Sequence, residues 1–208
     1  ATLDETILQP DWSQGLTHPA LKADIRYRAL DQGPATVRLT ATPANFSGRR
    51  YQADFPVTLE SGAHSVQLTL PMPKAKLWWP VGTGKPHLYT IRVALRDENG
   101  LMDTAVTRTG LRKIVEQPDN KGWLINDKRL FIKGSNYIGS PWLSTMTREK
   151  YRRDLRLVEA MNANAIRVHG HVAGRALYDV ADEMGMMIWQ DVPLQWGYNN
   201  SAAFTENA

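Results

Sequence analysis

Leu88-Tyr89-Thr90-Ile91-Arg92-Val93-Ala94-Leu95 places an apolar side chain at every second position and is closed by the turn formers Asp97-Glu98-Asn99-Gly100. A period of two turns one face of a strand toward a core and the other toward water. The pattern recurs upstream in Leu21-Lys22-Ala23-Asp24-Ile25-Arg26-Tyr27-Arg28, in Val37-Arg38-Leu39-Thr40 and in Ser65-Val66-Gln67-Leu68-Thr69-Leu70. Turn clusters at Asp31-Gln32-Gly33-Pro34 and Glu60-Ser61-Gly62 separate these runs, and Leu101 to Val115 supplies closing strands. Short alternating strands with turns at this spacing predict an all-β, immunoglobulin-like sandwich over residues 1–117.

Beyond Gln117-Pro118-Asp119-Asn120 the grammar changes. Trp123-Leu124-Ile125 and Leu130-Phe131-Ile132-Lys133 flank Asn126-Asp127-Lys128-Arg129, which reads as a hairpin. Thr147 is a candidate N-cap for a helix with Tyr151, Leu155 and Val158 on one face. Ala165 to Val168 reads as a strand, Leu177, Val180, Ala181 and Met184 as a second helix ended by Gly185, and Met186 to Trp189 as a third strand. Strand, helix, strand, helix, strand is the grammar of a parallel α/β sheet. Residues 118–208 are therefore expected to form the first three strands and two helices of a truncated (β/α)8, or TIM, barrel.

The 208 residues carry 42% hydrophobic and 22% charged side chains, which excludes a disordered or collagen-like chain. Without cysteine there is no disulfide framework, thiolate metal site or thiol nucleophile. The net charge is +4, with 25 basic residues scattered among 21 acidic ones, so no basic stripe points to nucleic acid. No apolar run is long enough to span a membrane, and the opening ATLDETILQP has no signal-peptide pattern. Seven tryptophans are the one compositional excess, and each suits either core packing or stacking on a sugar ring.

Three strand ends carry polar side chains. Asn136 ends the first parallel strand, Asp191 ends the third, and Arg167, His169 and His171 share one parity at the end of the second. In a (β/α)8 barrel, the carboxyl ends of the strands open into the active-site mouth. The two imidazoles could contact substrate, hold a metal or be satisfied structurally, and Asp191 alone could be a cap or a solvated turn. No further ligand stands at metal spacing, so no metal is expected. Gly82-Thr83-Gly84-Lys85 is not a phosphate loop, since Pro86 stands where Ser or Thr is required and Trp79 where a glycine is.

Leu77-Trp78-Trp79-Pro80, Gly84-Lys85-Pro86-His87-Leu88-Tyr89 and Gly110-Leu111-Arg112-Lys113-Ile114 resemble the immunoglobulin-like domain of glycoside hydrolase family 2. Phe131-Ile132-Lys133-Gly134-Ser135-Asn136-Tyr137, then Met161-Asn162-Ala163-Asn164-Ala165-Ile166-Arg167-Val168, resemble the family's first two barrel strands. Leu177-Tyr178-Asp179-Val180-Ala181-Asp182-Glu183-Met184-Gly185 resembles the helix that follows, and Ile188-Trp189-Gln190-Asp191 the third strand. Trp-Trp-Pro and Trp-Gln-Asp look most like the β-mannosidase and exo-glucosaminidase branch. Two stretches depart from it: Arg167-Val168-His169-Gly170-His171, and Val192-Pro193-Leu194-Gln195-Trp196-Gly197-Tyr198. Both fall where the sugar at the cleavage point would sit.

The resemblance implies a parent that is a retaining glycosidase acting on β-linked sugars, without a cofactor, and a secreted or periplasmic parent would fit it. Both catalytic residues would be Glu beyond residue 208, so this chain would be an inactive fragment. Glu183, on a helix, and Glu206, in an unpatterned tail, are not taken as substitutes. Asn136, Arg167, His169, His171, Asp191 and Trp196 would bind substrate or support the site. The resemblance also implies that Arg167 would orient the nucleophilic Glu; bracing Asp191 is its structural alternative. A non-catalytic carbohydrate-binding or structural sandwich is the competing reading. An unfinished barrel would also expose an edge at the third strand, with Ile188 and Trp189 uncovered, and would self-associate or order poorly.

Overall fold

The structure is a computed structural model and describes residues 1–118, 122–192 and 201–207. Two compact units divide the chain, Ala1–Phe131 and Ile132–Ala208.

The first unit is a sandwich of two antiparallel sheets. One has the order β1 (Thr2–Asp11), β2 (Ala20–Ala29), β5 (Gly62–Pro71). The other runs β4 (Tyr51–Leu59), β3 (Gly33–Pro43), β6 (Tyr89–Asp97), β7 (Gly100–Thr109). Because β4 pairs with β3 and not with β5, the sandwich is three strands on four. The alternation read from the sequence holds in the burial. Leu21, Ile25, Val37, Leu39, Leu70, Ile91, Val93 and Leu95 are each at most 1% exposed, and they join the two inner faces into one core.

Two strands were not expected. β1 has no clean alternation; it pairs with β2 as an antiparallel edge strand with a bulge between Leu3 and Glu5, and the ion pairs Glu5–Arg26 and Asp11–Lys22 lie across the two strands. β4 carries Pro56, which is tolerated because β4 is an edge strand.

Between β5 and β6 the chain passes through Trp78, which is 1% exposed. Its N–H donates to the Leu111 carbonyl at 2.8 Å, its carbonyl accepts from Asn126 Nδ2 at 2.9 Å, and the Arg112 guanidinium lies 4.5 Å from its ring centre. A Cβ on Gly110 would stand 2.6 Å from the Trp78 side chain, so only glycine fits there.

Three short strands follow, β8 (Ile114–Glu116), β9 (Trp123–Ile125) and β10 (Lys128–Leu130), paired in the order β10-β9-β8. A hairpin forms here as expected, but Asn126 and Asp127, with φ of 51° and 63°, make a two-residue turn, so its second strand is Lys128–Leu130 and not Leu130–Lys133. The first unit closes at Phe131 and not at residue 117, because this hairpin pairs with β8 and Asn126 is tied to Trp78.

The second unit has a parallel sheet of β11 (Gly134–Tyr137), β12 (Ala165–Val168) and β13 (Met187–Gln190), in that order. Helices α1 (Arg148–Ala160) and α2 (Arg175–Met184) connect the strands. Thr147 caps α1 by accepting from the Lys150 N–H, and Tyr151 and Leu155 are its buried face. Gly185 ends α2 with a left-handed φ of 76°. Glu183 of α2 is paired with both Arg148 and Arg152 of α1, a brace between the helices. The tail is not unpatterned, since Ala202–Asn207 forms a short helix, α3, in which Glu206 lies. No helix among the described residues is long and apolar enough to cross a membrane.

Candidate functional site

The register of the parallel sheet places Asn136, Arg167 and Trp189 side by side, with Gly134, Ala165 and Met187 one step earlier. Side chains alternate across a strand, so these share one face, and Tyr137, Ile166, Val168, Ile188 and Gln190 share the other. The second face is the helix-covered one. Tyr137 donates to Asp154 of α1 at 2.9 Å, Tyr178 of α2 donates to Gln190 at 2.6 Å, and Ile166 and Val168 are at most 2% exposed. Trp189, expected to await a covering helix, instead lies on the opposite face and is 54% exposed. Ile132, Gly134, Ser135, Asn136, Arg167 and Trp189 line a cleft of about 420 Å³ there.

Four expected residues meet at one end of that face. Arg167 reaches Asp191 at two points, Nε at 3.1 Å from Oδ1 and Nη2 at 2.8 Å from Oδ2. Arg167 Nη1 donates to Asn136 Oδ1 at 3.5 Å. His169 Nδ1 stands 3.2 Å from Asp191 Oδ2. The Asp191 N–H donates to the Val168 carbonyl at 3.2 Å, which holds the carboxylate beside the end of β12.

The hydrogen bond from Arg167 holds the Asp191 carboxyl below its ordinary range; partial burial opposes this and His169 adds to it. Asp191 therefore stays charged, and a two-point pair fixes the plane of the guanidinium. A guanidinium has five N–H donors, more than these contacts use.

His171 does not join the cluster. Its Nδ1 lies 3.0 Å from the His169 carbonyl, so that nitrogen is turned to the loop that carries it and not to Asp191. Among the described residues no group of three His, Asp or Glu side chains is placed to hold a metal ion. Trp196 lies outside the described residues.

The sequence reading missed two contributors. Trp189 forms a wall of the cleft in register with Arg167, and its parity with Asp191 was the available signal. Gln190 sits on the helix face, where its Nε2 donates to the His171 carbonyl at 2.8 Å and to the Asp191 carbonyl at 2.5 Å. It thereby ties the loop after β12 to the end of β13. No sequence pattern marks that tie.

Residues 1–112 match the family model described as glycosyl hydrolases family 2. The chain is 33% identical over 134 residues to beta-mannosidase B of Aspergillus flavus, a match covering 60% of this chain and 16% of that protein. It is 30% identical over 146 residues to an exo-beta-D-glucosaminidase of Hypocrea jecorina, covering 66% of this chain and 16% of that one. Among solved structures it resembles the beta-D-mannosidase of Dictyoglomus thermophilum, with a TM-score of 0.85 and 26% identity over 99% of this chain and 26% of that chain. This chain thus spans a minor part of the relatives it matches.

Proposed function

Because the chain belongs to glycosyl hydrolases family 2, we propose that it is part of a retaining exo-glycosidase that removes a terminal β-linked sugar. Similarity to beta-mannosidases and exo-beta-D-glucosaminidases favours a terminal mannose or glucosamine. The observation that carries the reading is the Asn136–Arg167–Asp191–His169 cluster at the carboxyl ends of parallel strands. That is where a (β/α)8 barrel does its chemistry.

Retaining hydrolysis uses two carboxyl groups about 5–5.5 Å apart, one a nucleophile and one an acid/base. Glu183 is engaged by Arg148 and Arg152 on the helix side, so it is not one of them. We place both outside residues 1–208. Within this chain, Asp191 clamps Arg167 from one side and Asn136 steadies it from another. The remaining N–H groups of Arg167 would orient the nucleophilic carboxylate and keep it ionised, an effect of paired charge on a carboxyl. Arg167 is then a positioning residue, and residues 132–192 would be the opening strands of the barrel.

A panel of aryl β-glycosides tests the reading on the full-length protein, using the mannoside, glucosaminide, glucuronide and galactoside. Turnover of the mannoside or glucosaminide well above the others, with the anomeric configuration of the product retained, is expected. Absence of turnover on all four, or inversion, overturns it.

A further inference from the structure

Tyr178 lies in the first turn of α2 and Gln190 is the last residue of β13. The two meet on the helix side of the parallel sheet, away from the cleft. Tyr178 Oη donates to Gln190 Oε1 at 2.6 Å and accepts from the Ala173 N–H at 3.2 Å. Gln190 Nε2 donates to the His171 and Asp191 carbonyls at 2.8 and 2.5 Å.

Chemistry fixes the direction of this network. Carbonyl oxygens only accept, so the Gln190 amide nitrogen must face His171 and Asp191, and its Oε1 is left for a donor. Tyr178 is that donor, and its oxygen takes the Ala173 N–H. Both amide hydrogens and the phenol hydrogen are thus used, and the backbone at residues 171, 173 and 191 is stapled to one pair of side chains. Bonds in such a chain strengthen one another. The loop needs a hold of this kind. Gly170 turns it at a φ of 70°, and among the described residues no side chain caps α2 at Gly174. Ala173 is buried, so its N–H requires a partner.

His169 stands at the other end of that loop. Its Nδ1 lies 3.2 Å from Asp191 Oδ2, and an ionised carboxylate only accepts. Nδ1 therefore carries the hydrogen, and the neutral ring keeps Nε2 as an acceptor. This geometry lasts while residues 169 and 191 keep their separation. Gln190 sets it from both sides, holding the Asp191 carbonyl with one hydrogen and the His171 carbonyl with the other. His171 Nδ1 passes the hold on by donating to the His169 carbonyl at 3.0 Å.

We propose that Tyr178 and Gln190 are positioning residues for glycoside cleavage. By latching the loop they keep His169 on Asp191, with Nε2 free to accept from a hydroxyl of the terminal sugar. This rests on the glycosidase reading above and deepens it. A latch that merely stiffened the sheet would act with or without His169, and that difference is measurable.

The test uses the full-length protein and the aryl β-glycoside that it turns over fastest in the panel. Tyr178→Phe, Gln190→Met and His169→Ala are made singly, and each of the first two is also combined with His169→Ala. Alone, Tyr178→Phe is expected to lower kcat/KM about fivefold, and Gln190→Met and His169→Ala about tenfold each. With His169 already alanine, the same two changes are expected to cost less than twofold, because residues that act through one network are not additive. Melting of Tyr178→Phe within a few degrees of the parent shows that the comparison is between folded proteins. An active parent in which Tyr178→Phe costs nothing, or costs as much without His169 as with it, overturns this inference and leaves the glycosidase reading standing. His169→Ala with undiminished activity does the same. A parent inactive on all four glycosides overturns the two together.

Discussion

Gly134 controls whether β11 can lie against β12, and replacing it by alanine tests that contact. A Cβ there would stand 2.3 Å from the Ala165 carbonyl oxygen, 2.9 Å from its carbon and 3.3 Å from its Cβ. Ordinary contact begins near 3.4 Å, and the obstacle is backbone, so the strand itself must move outward by about 1 Å. Overpacking of this kind costs about 1–3 kcal/mol, and a weakened ladder bond adds about 1 kcal/mol. The sum, about 2–4 kcal/mol, is roughly a 30- to 1,000-fold change in an opening equilibrium. Hydrogen exchange followed by mass spectrometry reads this directly as lost protection in residues 134–137 and 165–168. Gly33→Ala, where a Cβ meets nothing within 4 Å, is the control and leaves protection unchanged. In the full-length protein the same shift would part Asn136 from Arg167 and lower activity. If Gly134→Ala kept protection in both strands within about threefold of the parent, β11 would have room for a side chain and the reasoning would be refuted.

Asn126→Ala strands the Trp78 carbonyl and the Lys113 N–H and forces alanine to φ 51°. It should lower the stability of the first unit by about 2–4 kcal/mol in urea denaturation, and Asn126→Gly by less, since glycine relieves the backbone. Burial holds the Tyr89 phenol up at about 12 against an ordinary 10.0, so its proton is bound more tightly in the folded state. Its contribution to stability is full below pH 10.0 and fades as pH rises toward about 12. Ultraviolet titration should find a group of phenols ionising late, since burial raises Tyr51, Tyr137 and Tyr151 too, and Tyr89→Phe should remove one phenol from that group. Asp191 has the opposite sign: its folded value lies below 3.8, so its contribution is present above that pH and is lost as pH falls through the folded value. Local exchange protection at β13 should therefore drop on acidification below pH 3.8 in the parent, and change less in Asp191→Asn.

What the sequence made legible was periodicity. Leu21 to Arg28 and Leu88 to Leu95 alternate because one face of each strand is in the core, and Leu155 and Leu177 recur at helical spacing because α1 and α2 pack on a sheet. β1 was illegible because it is an edge strand whose backbone pairs with β2 while only Leu3 and Leu8 reach the core, and the bulge between Leu3 and Glu5 breaks the period of two. Parity at the strand end put Arg167, His169 and His171 on one side, and of these Arg167 and His169 reach Asp191. Parity failed for His171, since Gly170, at a φ of 70°, turns the chain out of strand geometry before it. The role of Gln190 could not be read at all, because its partners are the backbone carbonyls of a loop whose path no residue type dictates.

The central claim is that the strand-end cluster supports glycoside cleavage and does not merely brace the sheet. The most direct measurement is kcat and melting temperature of Arg167→Met in the full-length protein, taken together on its best β-glycoside. Loss of an oriented nucleophile predicts a fall in kcat of about 100-fold or more, roughly 2.7 kcal/mol of transition-state stabilisation, with melting changed by a few degrees at most. A variant that melts many degrees lower yet keeps near-normal kcat and KM would mean that Arg167 serves Asp191 alone, and would contradict the account.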